Sequence, residues 1–462
     1  MFLLVKLSLF FPAVLSLKFT SYANDFIDPS IVTQQPHNST RTLAQRTIVK
    51  WASELAAQGP WSVVNKPITP PSGDKRDYLS WEPHWWPDCS GVGNMTVLLD
   101  EQIWSTCPYY QRDDALNPDV SMVNNSGDFD AMSNAVLYNA MAWILNGSDS
   151  YAANAARFVQ TWFLDSDTAM NPNANFSHMR RGPNGSPGIH TGVLDMKGIV
   201  KVINGILILQ NGHSDAWTAD LQMQMANWTG QYVQWLQMNP LGIQESRAQD
   251  HHGTFYYNQL AALKLFLGDV SGAQNATQTY FSTLFMDQID GSGEQARAIR
   301  PNEVGGKDSA DYRAFHLAAI ITNARIAQSA GFSAWNLTTT RGGTIKQALD
   351  YAMTIQPAPS VPVELYPNIG AIAAIYGDPE GKYVAFLKTV YMSFAIEPWF
   401  YWNQPLGDGG YVEGQLVAES GSPSGPQPES STSAAIAIPI ETIINWSMTQ
   451  IVWGTAMLSV LI

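Results

Sequence analysis

Apolar side chains recur every three to four residues through most of the chain, which is the period of an amphipathic helix. One such helical face consists of Tyr151, Ala155, Phe158 and Trp162. Another consists of Trp228, Tyr232, Trp235 and Leu236. The alternation with a period of two that marks strands is scarce. The pattern therefore predicts ten or more helices and an all-α fold.

Glycine follows the last apolar position of six of the predicted helices, and a glycine just past a helix relieves the strain of a left-handed residue. These helices are predicted over residues 43–58, 132–146, 201–211, 256–267, 315–330 and 369–376. Their spacing fits helical hairpins that close into an α/α toroid, an incomplete α/α barrel. An open α-solenoid is the alternative, but the chain has no fixed-period repeat consensus.

The N-terminus has the pattern of a secretory signal peptide, which we place at residues 1–23. Lys6 accompanies an apolar run over residues 7–17, and the triplet that ends at Ala23 is a small-x-small cleavage site. Cleavage after Ser16 is the alternative. The apolar run is too short to span a bilayer, so secretion is favoured over a membrane anchor.

The C-terminus changes in composition beyond the predicted toroid domain, which spans residues 24–419. Residues 420–435 are rich in Ser, Gly and Pro and are predicted to form a linker. Residues 436–462 end in an uncharged apolar run and resemble a GPI-attachment signal. We therefore expect a secreted, extracellular protein whose contact with a membrane is limited to this anchor.

Nine N-x-S/T triplets without proline within residues 24–419 indicate N-glycosylation and a secreted protein of a eukaryote. Eight of them are predicted acceptors: Asn38, Asn94, Asn124, Asn146, Asn184, Asn227, Asn275 and Asn336. The ninth, Asn175, lies in a segment rich in hydrogen-bond donors. A glycosylated Asn175 could not also lie inside a binding groove, so only one of these two interpretations holds.

Composition narrows the class of partner and indicates one covalent cross-link. Charged residues make up only 14% of the chain and the net charge is -14, so nothing like a basic stripe for nucleic acid is present. Cys89 and Cys107 are predicted to form a disulfide in the oxidising secretory pathway. Closing this loop stabilises the fold by roughly 3 kcal/mol on the chain-entropy argument.

Two segments combine aromatic rings with groups that can hold a sugar. In residues 77–88, Trp85 and Trp86 can stack on sugar rings, although either ring could equally well fill a core. Residues 170–181 are dense in donors for hydroxyls and carboxylates. These donors include Asn173, His178 and Arg180.

Two further segments carry candidate chemistry. His251 and His252 are adjacent, follow Asp250 and lie at the start of a predicted helix. A zinc site is disfavoured because no His or Cys lies at a usual i+4 spacing. Residues 290–313 are the most cation-rich stretch of a cation-poor chain, and we expect an acidic polymer to bind there.

In their order along the chain, these segments resemble those of the alginate-lyase superfamily. That superfamily contains polyuronate lyases with an α/α toroid and includes polysaccharide lyase families 5 and 38. Each similar run is weak alone, but their number and order make the set specific. The similar runs are residues 84–87, 108–114, 161–165, 170–175, 188–195, 250–255 and 290–312.

The resemblance implies that His252 is the catalytic histidine and Tyr312 the catalytic tyrosine. It implies that Arg300, with Arg297 as the alternative, helps to neutralise the substrate carboxylate. The neutralising asparagine of the family falls on His251 in this chain, a departure that bears on substrate identity and suggests an acid-shifted optimum. The residues expected to contact substrate are Trp85, Trp86, Arg112, Asn173, His178, Arg180, Gln249 and Arg297.

The chemistry that these residues would perform is β-elimination. The C5 proton of a uronate becomes acidic once its carboxylate charge is offset, which we assign to His251, Arg300 and Gln249. A base then removes this proton and an acid protonates the departing O4. In mannuronate or glucuronate both leave from one face, so Tyr312 could serve as base and acid. In guluronate they lie on opposite faces, and His252 is the natural base.

Such a reaction needs no metal or organic cofactor, and we expect a monomer acting on an acidic polysaccharide. The strongest alternative is an inverting glycoside hydrolase, which needs two carboxyls about 6.5–9.5 Å apart. Candidate carboxyls are Asp113, Asp195, Glu303 and Asp308. A catalytically inactive, GPI-anchored protein that binds wall carbohydrate is the other alternative. The presence of both His252 and Tyr312 in a matching framework disfavours it.

Overall fold

The computed structural model describes residues 18–33, 42–92, 97–112, 115–295, 308–355 and 361–403, and most of these are helical. The helices are α1 (Pro29–Thr33), α2 (Thr42–Gln58), α3 (Asp100–Thr106), α4 (Asn125–Asn146), α5 (Asp149–Val159), α6 (Ile199–Asn211), α7 (Ala219–Met238), α8 (Pro240–Glu245), α9 (His251–Phe266), α10 (Val270–Ser282), α11 (Phe285–Gln288), α12 (Asp308–Ser329), α13 (Ile345–Ile355), α14 (Leu365–Tyr376), α15 (Lys382–Val390) and α16 (Pro398–Trp402). The strands are β1 (Leu79–Trp81), β2 (Trp85–Pro87), β3 (Tyr109–Gln111) and β4 (Phe176–Met179).

The long helices pack side by side into a ring of hairpins. Along the inner side, α4 packs against α6, α6 against α9, α9 against α12, and α12 against α14. Helix α16 contacts both α14 and α2, and α2 packs against α4, which completes the circuit. Helices α5, α10, α13 and α15 lie against the inner helices that precede them in the chain. This arrangement confirms the predicted all-α toroid of helical hairpins.

Buried amide side chains connect the inner helices α9 and α12. The Asn258 Nδ2 of α9 donates to the carbonyl of Ala319 in α12 at 2.9 Å. In return, the Asn323 Nδ2 of α12 donates to the carbonyl of Thr254 in α9 at 3.1 Å. A buried amide that lost its partner would cost about 1–3 kcal/mol, so these reciprocal bonds fix how the two helices lie against each other.

The predicted helix ends agree with the structure, whereas several predicted starts come too late. Helices α4 and α9 begin at Asn125 and His251, rather than at residues 132 and 256. Their first turns are polar, so the apolar period does not register them. Gly212 after α6 has a φ of -80°, so a left-handed conformation is not its reason. A Cβ at this position would lie 2.6 Å from the ring of Trp143, which explains the glycine.

Residues 18–28, which we call the N-terminal strap, pack among the inner helices. The Tyr22 hydroxyl donates to Glu397 at 2.8 Å. The backbone groups of Ile27 exchange two hydrogen bonds with the Asn204 side chain, at 3.0 and 2.7 Å. The signal-peptide boundary predicted at residue 23 therefore falls inside a packed segment. The preceding part of that prediction, residues 1–17, lies outside the described residues.

Two small sheets lie at the start of the domain, and the predicted disulfide closes one of them. Strand β1 pairs with β4 in parallel, and β2 pairs with β3 in antiparallel register. Cys89 and Cys107, which follow β2 and precede β3, are bonded with their Cα atoms 4.9 Å apart, so the disulfide is confirmed. No helix in the described part of the chain is long and apolar enough to cross a bilayer. The predicted linker and anchor signal lie outside the described residues.

Candidate active site

The two adjacent histidines lie in the first turn of α9. Asp250 caps this helix, because its Oδ1 accepts a hydrogen bond from the backbone N–H of His252 at 3.0 Å. His251 and His252 are both buried, and their ring centroids are 4.6 Å apart. The N-terminal end of a helix carries partial positive charge, so negative charge on a bound group would be stabilised here.

Glu245, at the end of α8, joins two histidines from different parts of the chain. Its Oε1 lies 2.8 Å from the Nδ1 of His252, and its Oε2 lies 2.6 Å from the Nδ1 of His190. Burial by itself raises the pKa of Glu245, but the charge and hydrogen bonds of His252 and His190 outweigh burial and hold the pKa below its ordinary value. An ionised Glu245 requires a proton on each Nδ1, which fixes the tautomer and the orientation of both rings.

Tyr312 projects from the early part of α12 towards the same place. Its ring centroid lies 5.7 Å from that of His251. Phe315, one turn further along α12, packs edge-on against His251 with the centroids 5.6 Å apart. The structure therefore brings together Tyr312, His251 and His252, three of the four residues predicted to be catalytic. The fourth, Arg300, lies outside the described residues, as does Arg297.

A chain of buried hydrogen bonds lies beneath these residues and joins α9 to α12. The Nε2 of His316 lies 3.0 Å from Thr254 Oγ1, and its Nδ1 lies 2.7 Å from Gln295 Oε1. Gln288 donates to Thr254 Oγ1 at 3.0 Å. Burial lowers the pKa of His316 to about 4, so the ring is neutral, with Nδ1 donating to Gln295 and Nε2 accepting from Thr254.

A cavity of about 390 Å³ adjoins the histidines through His190. Its walls come from the loops at this end of the toroid and from α8. The lining residues are Glu82, Gln111, Arg180, Gly188, Ile189, His190, Thr191, Leu241 and Gln244. Pockets of this size with a few convergent polar groups are the usual binding sites of small molecules and sugar units.

Trp85 and Trp86, the two tryptophans predicted to stack on sugar rings, do not line this cavity themselves. The Arg180 guanidinium lies 4.3 Å from the centroid of the Trp85 ring and is paired with the Glu82 carboxylate. The Trp86 Nε1 donates to the carbonyl of Ala115 at 3.0 Å, which anchors that ring in the β2–β3 region. Trp85 therefore supports a cavity residue, and neither tryptophan is among the residues that line the cavity.

His178 was predicted to contact substrate, but it is buried behind the cavity wall. Its Nδ1 lies 3.0 Å from the Oγ1 of Thr191, and its Nε2 lies 3.0 Å from Oδ1 of Asp195. Asp195 also accepts hydrogen bonds from Tyr78, at 3.1 Å, and from Ser80. His178 thus supports Thr191 instead of lining the cavity. Asp195 belongs to the same buried network.

The remaining predicted contacts lie away from the described cavity. Arg112 lies over the ring of Trp86, with 5.2 Å between the guanidinium carbon and the ring centroid. The Asn173 Nδ2 donates to Asp77 at 3.4 Å, and the Gln249 Nε2 donates to the carbonyl of Arg247 at 3.1 Å. Arg112, Asn173 and Gln249 therefore make contacts within the protein.

Sequence reasoning missed Glu245, His190 and His316. Glu245 lies seven residues before His252, which is the kind of short spacing that a search for a histidine's carboxylate partner could have found. His190 and His316 lie 55 and 62 residues from their partners, Glu245 and Thr254, so only the fold connects them. In the described part of the chain no group of three or more His, Cys, Asp and Glu could hold a metal ion.

Comparison with known proteins identifies the family of this chain. A crystal structure of an alginate lyase from Bacteroides ovatus is similar, with a TM-score of 0.69 and 25% sequence identity, over 82% of this chain and 97% of the other. Among curated proteins none matches this chain. The family model named Alginate lyase matches residues 62–360, which is more than half of the chain and includes His252, Tyr312 and Glu245. The chain therefore belongs to the alginate lyase family.

Proposed function

We propose that this protein cleaves a 1,4-linked polyuronate, polymannuronate or glucuronan, by β-elimination and leaves a 4,5-unsaturated uronate at the new end. Membership of the alginate lyase family supports a polysaccharide lyase with an acidic substrate. The observation that carries the proposal is the juxtaposition of Tyr312 with His251 and His252 at the N-terminus of α9.

The first requirement of the reaction is to offset the charge of the substrate carboxylate. His251 and His252 lie where the partial positive charge of the α9 N-terminus adds to any charge on their rings. The ionised Glu245 accepts a hydrogen bond from Nδ1 of His252 and holds that ring in place, and its own burial keeps water from weakening this interaction. A carboxylate bound against this turn would gain hydrogen bonds that strengthen as the enediolate forms.

The second requirement is proton transfer at C5 and at O4. Tyr312 is half-buried beside His251, where a phenolic oxygen can meet a bound sugar ring. In mannuronate and glucuronate, H5 and O4 lie on one face, so a single Tyr312 can remove the one proton and return it to the other atom. In guluronate they lie on opposite faces, and Nε2 of His252 would take the role of base.

The hydrolase alternative receives less support from the geometry. Of its candidate carboxyls, Asp195 is buried and engaged by Tyr78, Ser80 and His178, so it cannot present a water molecule to an anomeric carbon. Asp113 and Glu303 lie outside the described residues, as does the side chain of Asp308. We also propose that the protein is secreted, carries N-linked glycans and is GPI-anchored. The disulfide supports secretion, because it needs an oxidising compartment.

The first experiment is to incubate the purified protein with glucuronan, polymannuronate and polyguluronate and to follow the ultraviolet absorbance of the unsaturated uronate. A rise in absorbance establishes elimination and ranks the polymers. New reducing ends without absorbance would identify a hydrolase, and neither signal would favour the binding protein.

Tyr312→Phe tests the assignment of the catalytic tyrosine. Because the variant lacks only the phenolic oxygen, we expect kcat to fall by about 10²–10⁴-fold while oligosaccharide binding is kept. Tyr110→Phe, an exposed tyrosine on β3, is the matched control and should retain full activity. Full turnover by Tyr312→Phe would remove Tyr312 from the mechanism.

A further inference from the structure

We propose that the cavity beside the histidines is a subsite for an uncharged sugar unit, and that Glu82 determines this preference. The substrate would then be a 1,4-linked polymer in which uronates are interrupted by neutral sugars. This inference rests on the proposed lyase function, because it assigns the uronate to the histidines and its neighbour to the cavity.

Arg180, the cation that lines the cavity, is paired with Glu82. Both oxygens of the Glu82 carboxylate face the Arg180 guanidinium: Nε pairs with Oε2, and Nη2 lies 3.3 Å from Oε1. Glu82 is held in place by its backbone N–H, which donates to the carbonyl of Met179 at 3.1 Å. The planar guanidinium also stacks on Trp85 at 4.3 Å. A two-point pair of this kind satisfies the charge of Arg180 within the protein.

The other described residues that line the cavity are uncharged, apart from His190. Gln111, Thr191 and Gln244 supply amides and a hydroxyl, while Ile189 and Leu241 supply apolar surface. His190 lines the cavity too, but its Nδ1 is committed to the Glu245 carboxylate at 2.6 Å. Amides, a hydroxyl and aliphatic carbons are groups that bind sugar hydroxyls and the apolar faces of sugar rings.

A uronate in this cavity would meet an unfavourable arrangement. To reach the remaining N–H groups of Arg180, its carboxylate would have to lie beside Glu82, and the side chain of Glu82 is only 14% exposed. Two carboxylates would then share one guanidinium in a partly desolvated place, where like charges repel strongly. A neutral sugar carries no such cost and can bind with the pair of Glu82 and Arg180 intact.

The test compares two polymers with the same backbone: the polyuronate itself and a preparation in which part of its carboxylates has been reduced to primary alcohols. We expect the wild-type protein to have a higher kcat/KM per uronate on the partly reduced polymer. Glu82→Gln keeps a hydrogen bond to Arg180 and removes the repulsion. We therefore expect this variant to gain roughly tenfold on the fully charged polymer, which reverses the preference.

Binding provides a readout that does not need turnover. The Tyr312→Phe variant, which we expect to bind without turnover, is the background for this measurement. In that background, calorimetry gives the ratio of Kd values for a β-1,4-linked glucose tetramer and its fully oxidised uronate counterpart, alone and with Glu82→Gln or Glu380→Gln, an exposed control outside the cavity. We expect Glu82→Gln to shift this ratio towards the charged tetramer and Glu380→Gln to leave it unchanged.

The outcomes separate the two proposals. A shifted binding ratio without any unsaturated product would overturn the lyase function and keep the neutral subsite. Elimination by a wild-type protein that prefers the fully charged polymer would overturn the subsite and keep the lyase. The subsite is also overturned if Glu82→Gln leaves the ratio as it is in Tyr312→Phe alone, whatever the activity.

Discussion

Glu245 shows how one buried side chain can organise a site whose visible chemistry belongs to others. It has no exposed surface, yet it contacts both His190, on the cavity wall, and His252, the second histidine of the pair. Its ionised form sets the proton on both Nδ1 atoms, and the strength of that control comes from its exclusion from water. The cavity and the catalytic turn are thereby linked through a single carboxylate.

Glu245→Gln tests this role. The amide keeps the shape but loses the charge, and its NH₂ group faces one of the two imidazoles, so the tautomers are no longer fixed. We expect kcat to fall by roughly 10–100-fold with a smaller change in KM, together with an altered pH profile of kcat. Glu54→Gln, on the exposed side of α2, is the control. A variant with lowered stability but unchanged kcat would show a purely structural role for Glu245.

His316 makes a prediction about stability and pH. Its pKa is lowered from 6.5 to about 4 by burial, so between these values the unfolded chain binds a proton that the folded protein does not. The free energy of unfolding should therefore fall as the pH drops from 6.5 towards 4. In His316→Gln this part of the pH dependence should disappear.

Urea unfolding at a series of pH values measures the effect of His316. The matched control is His213→Asn, because the ring of His213 is exposed and its φ of 56° is one that asparagine tolerates. The same slope in wild type and His316→Gln would contradict the assignment of a neutral, buried imidazole.

The extent to which the site could be predicted follows from how its residues are distributed along the chain. His251, His252 and Tyr312 lie in runs whose resemblance to a family made them visible. Glu245 was missed although its spacing from His252 is short, whereas His190 was missed because only the fold brings it to α8. His178 was predicted to contact substrate because it lies among asparagines and arginines, and in the structure its ring is buried with Nε2 3.0 Å from Asp195.

At the scale of elements, six helices were predictable because each buries an apolar stripe and ends within two residues of a glycine. The starts of α4 and α9 were not, since their first turns are polar. The start of α9 is held by the Asp250 cap, and that of α4 by hydrogen bonds between the Asn125 side chain and the backbone of Val63 and Leu79. The position at which α9 begins matters for the candidate active site. Placing His251 and His252 inside α9 exposes them to the partial charge of the helix terminus, which a loop would not provide.

The N-terminal strap makes a prediction about processing. Cleavage after Ala23 would remove the Tyr22 hydroxyl from Glu397, remove the Ser21 hydrogen bond to Asp130 at 2.7 Å, and leave a new ammonium group on the buried Asn24. Burying that charge without a partner is costly. We therefore expect the secreted protein to begin upstream of Ser21, in agreement with the alternative cut after Ser16.

N-terminal sequencing of the secreted protein decides between the two cuts. As an independent measurement, Tyr22→Phe should lower the free energy of unfolding by about 1–3 kcal/mol, because it leaves the buried Glu397 with one fewer donor. Tyr151→Phe, whose hydroxyl meets Ser53 on the surface, should change stability little. A mature protein that starts at Asn24 with full stability would contradict the role of the strap.

At the scale of the whole molecule, the positions predicted to carry glycans are exposed to solvent wherever the structure describes them. The six predicted acceptors within the described residues all have exposed asparagines, and they lie on helices and loops from several parts of the ring. They are Asn124, Asn146, Asn184, Asn227, Asn275 and Asn336. Asn38 and Asn94 lie outside the described residues.

Asn175 differs from these acceptors, and this difference makes the two interpretations of its segment testable. It is half-buried, and its Oδ1 accepts hydrogen bonds from the Trp235 indole at 2.8 Å and from Asn239 at 3.3 Å. A glycan on its Nδ2 would have to fit beside the Trp235 and Asn239 side chains, which hold the Oδ1 of the same amide in a half-buried place. We therefore expect glycans at the exposed acceptors and an unmodified Asn175.

Enzymatic release of glycans in ¹⁸O water followed by peptide mapping reads out each position separately. Asn175→Gln should lower the free energy of unfolding by about 1–2 kcal/mol, because the longer side chain cannot keep both hydrogen bonds. Asn184→Gln removes an exposed acceptor and should cost little beyond the loss of its glycan. A glycan found on Asn175 would contradict this expectation and would mean that its Nδ2 faces solvent while its Oδ1 can still accept the Trp235 hydrogen bond.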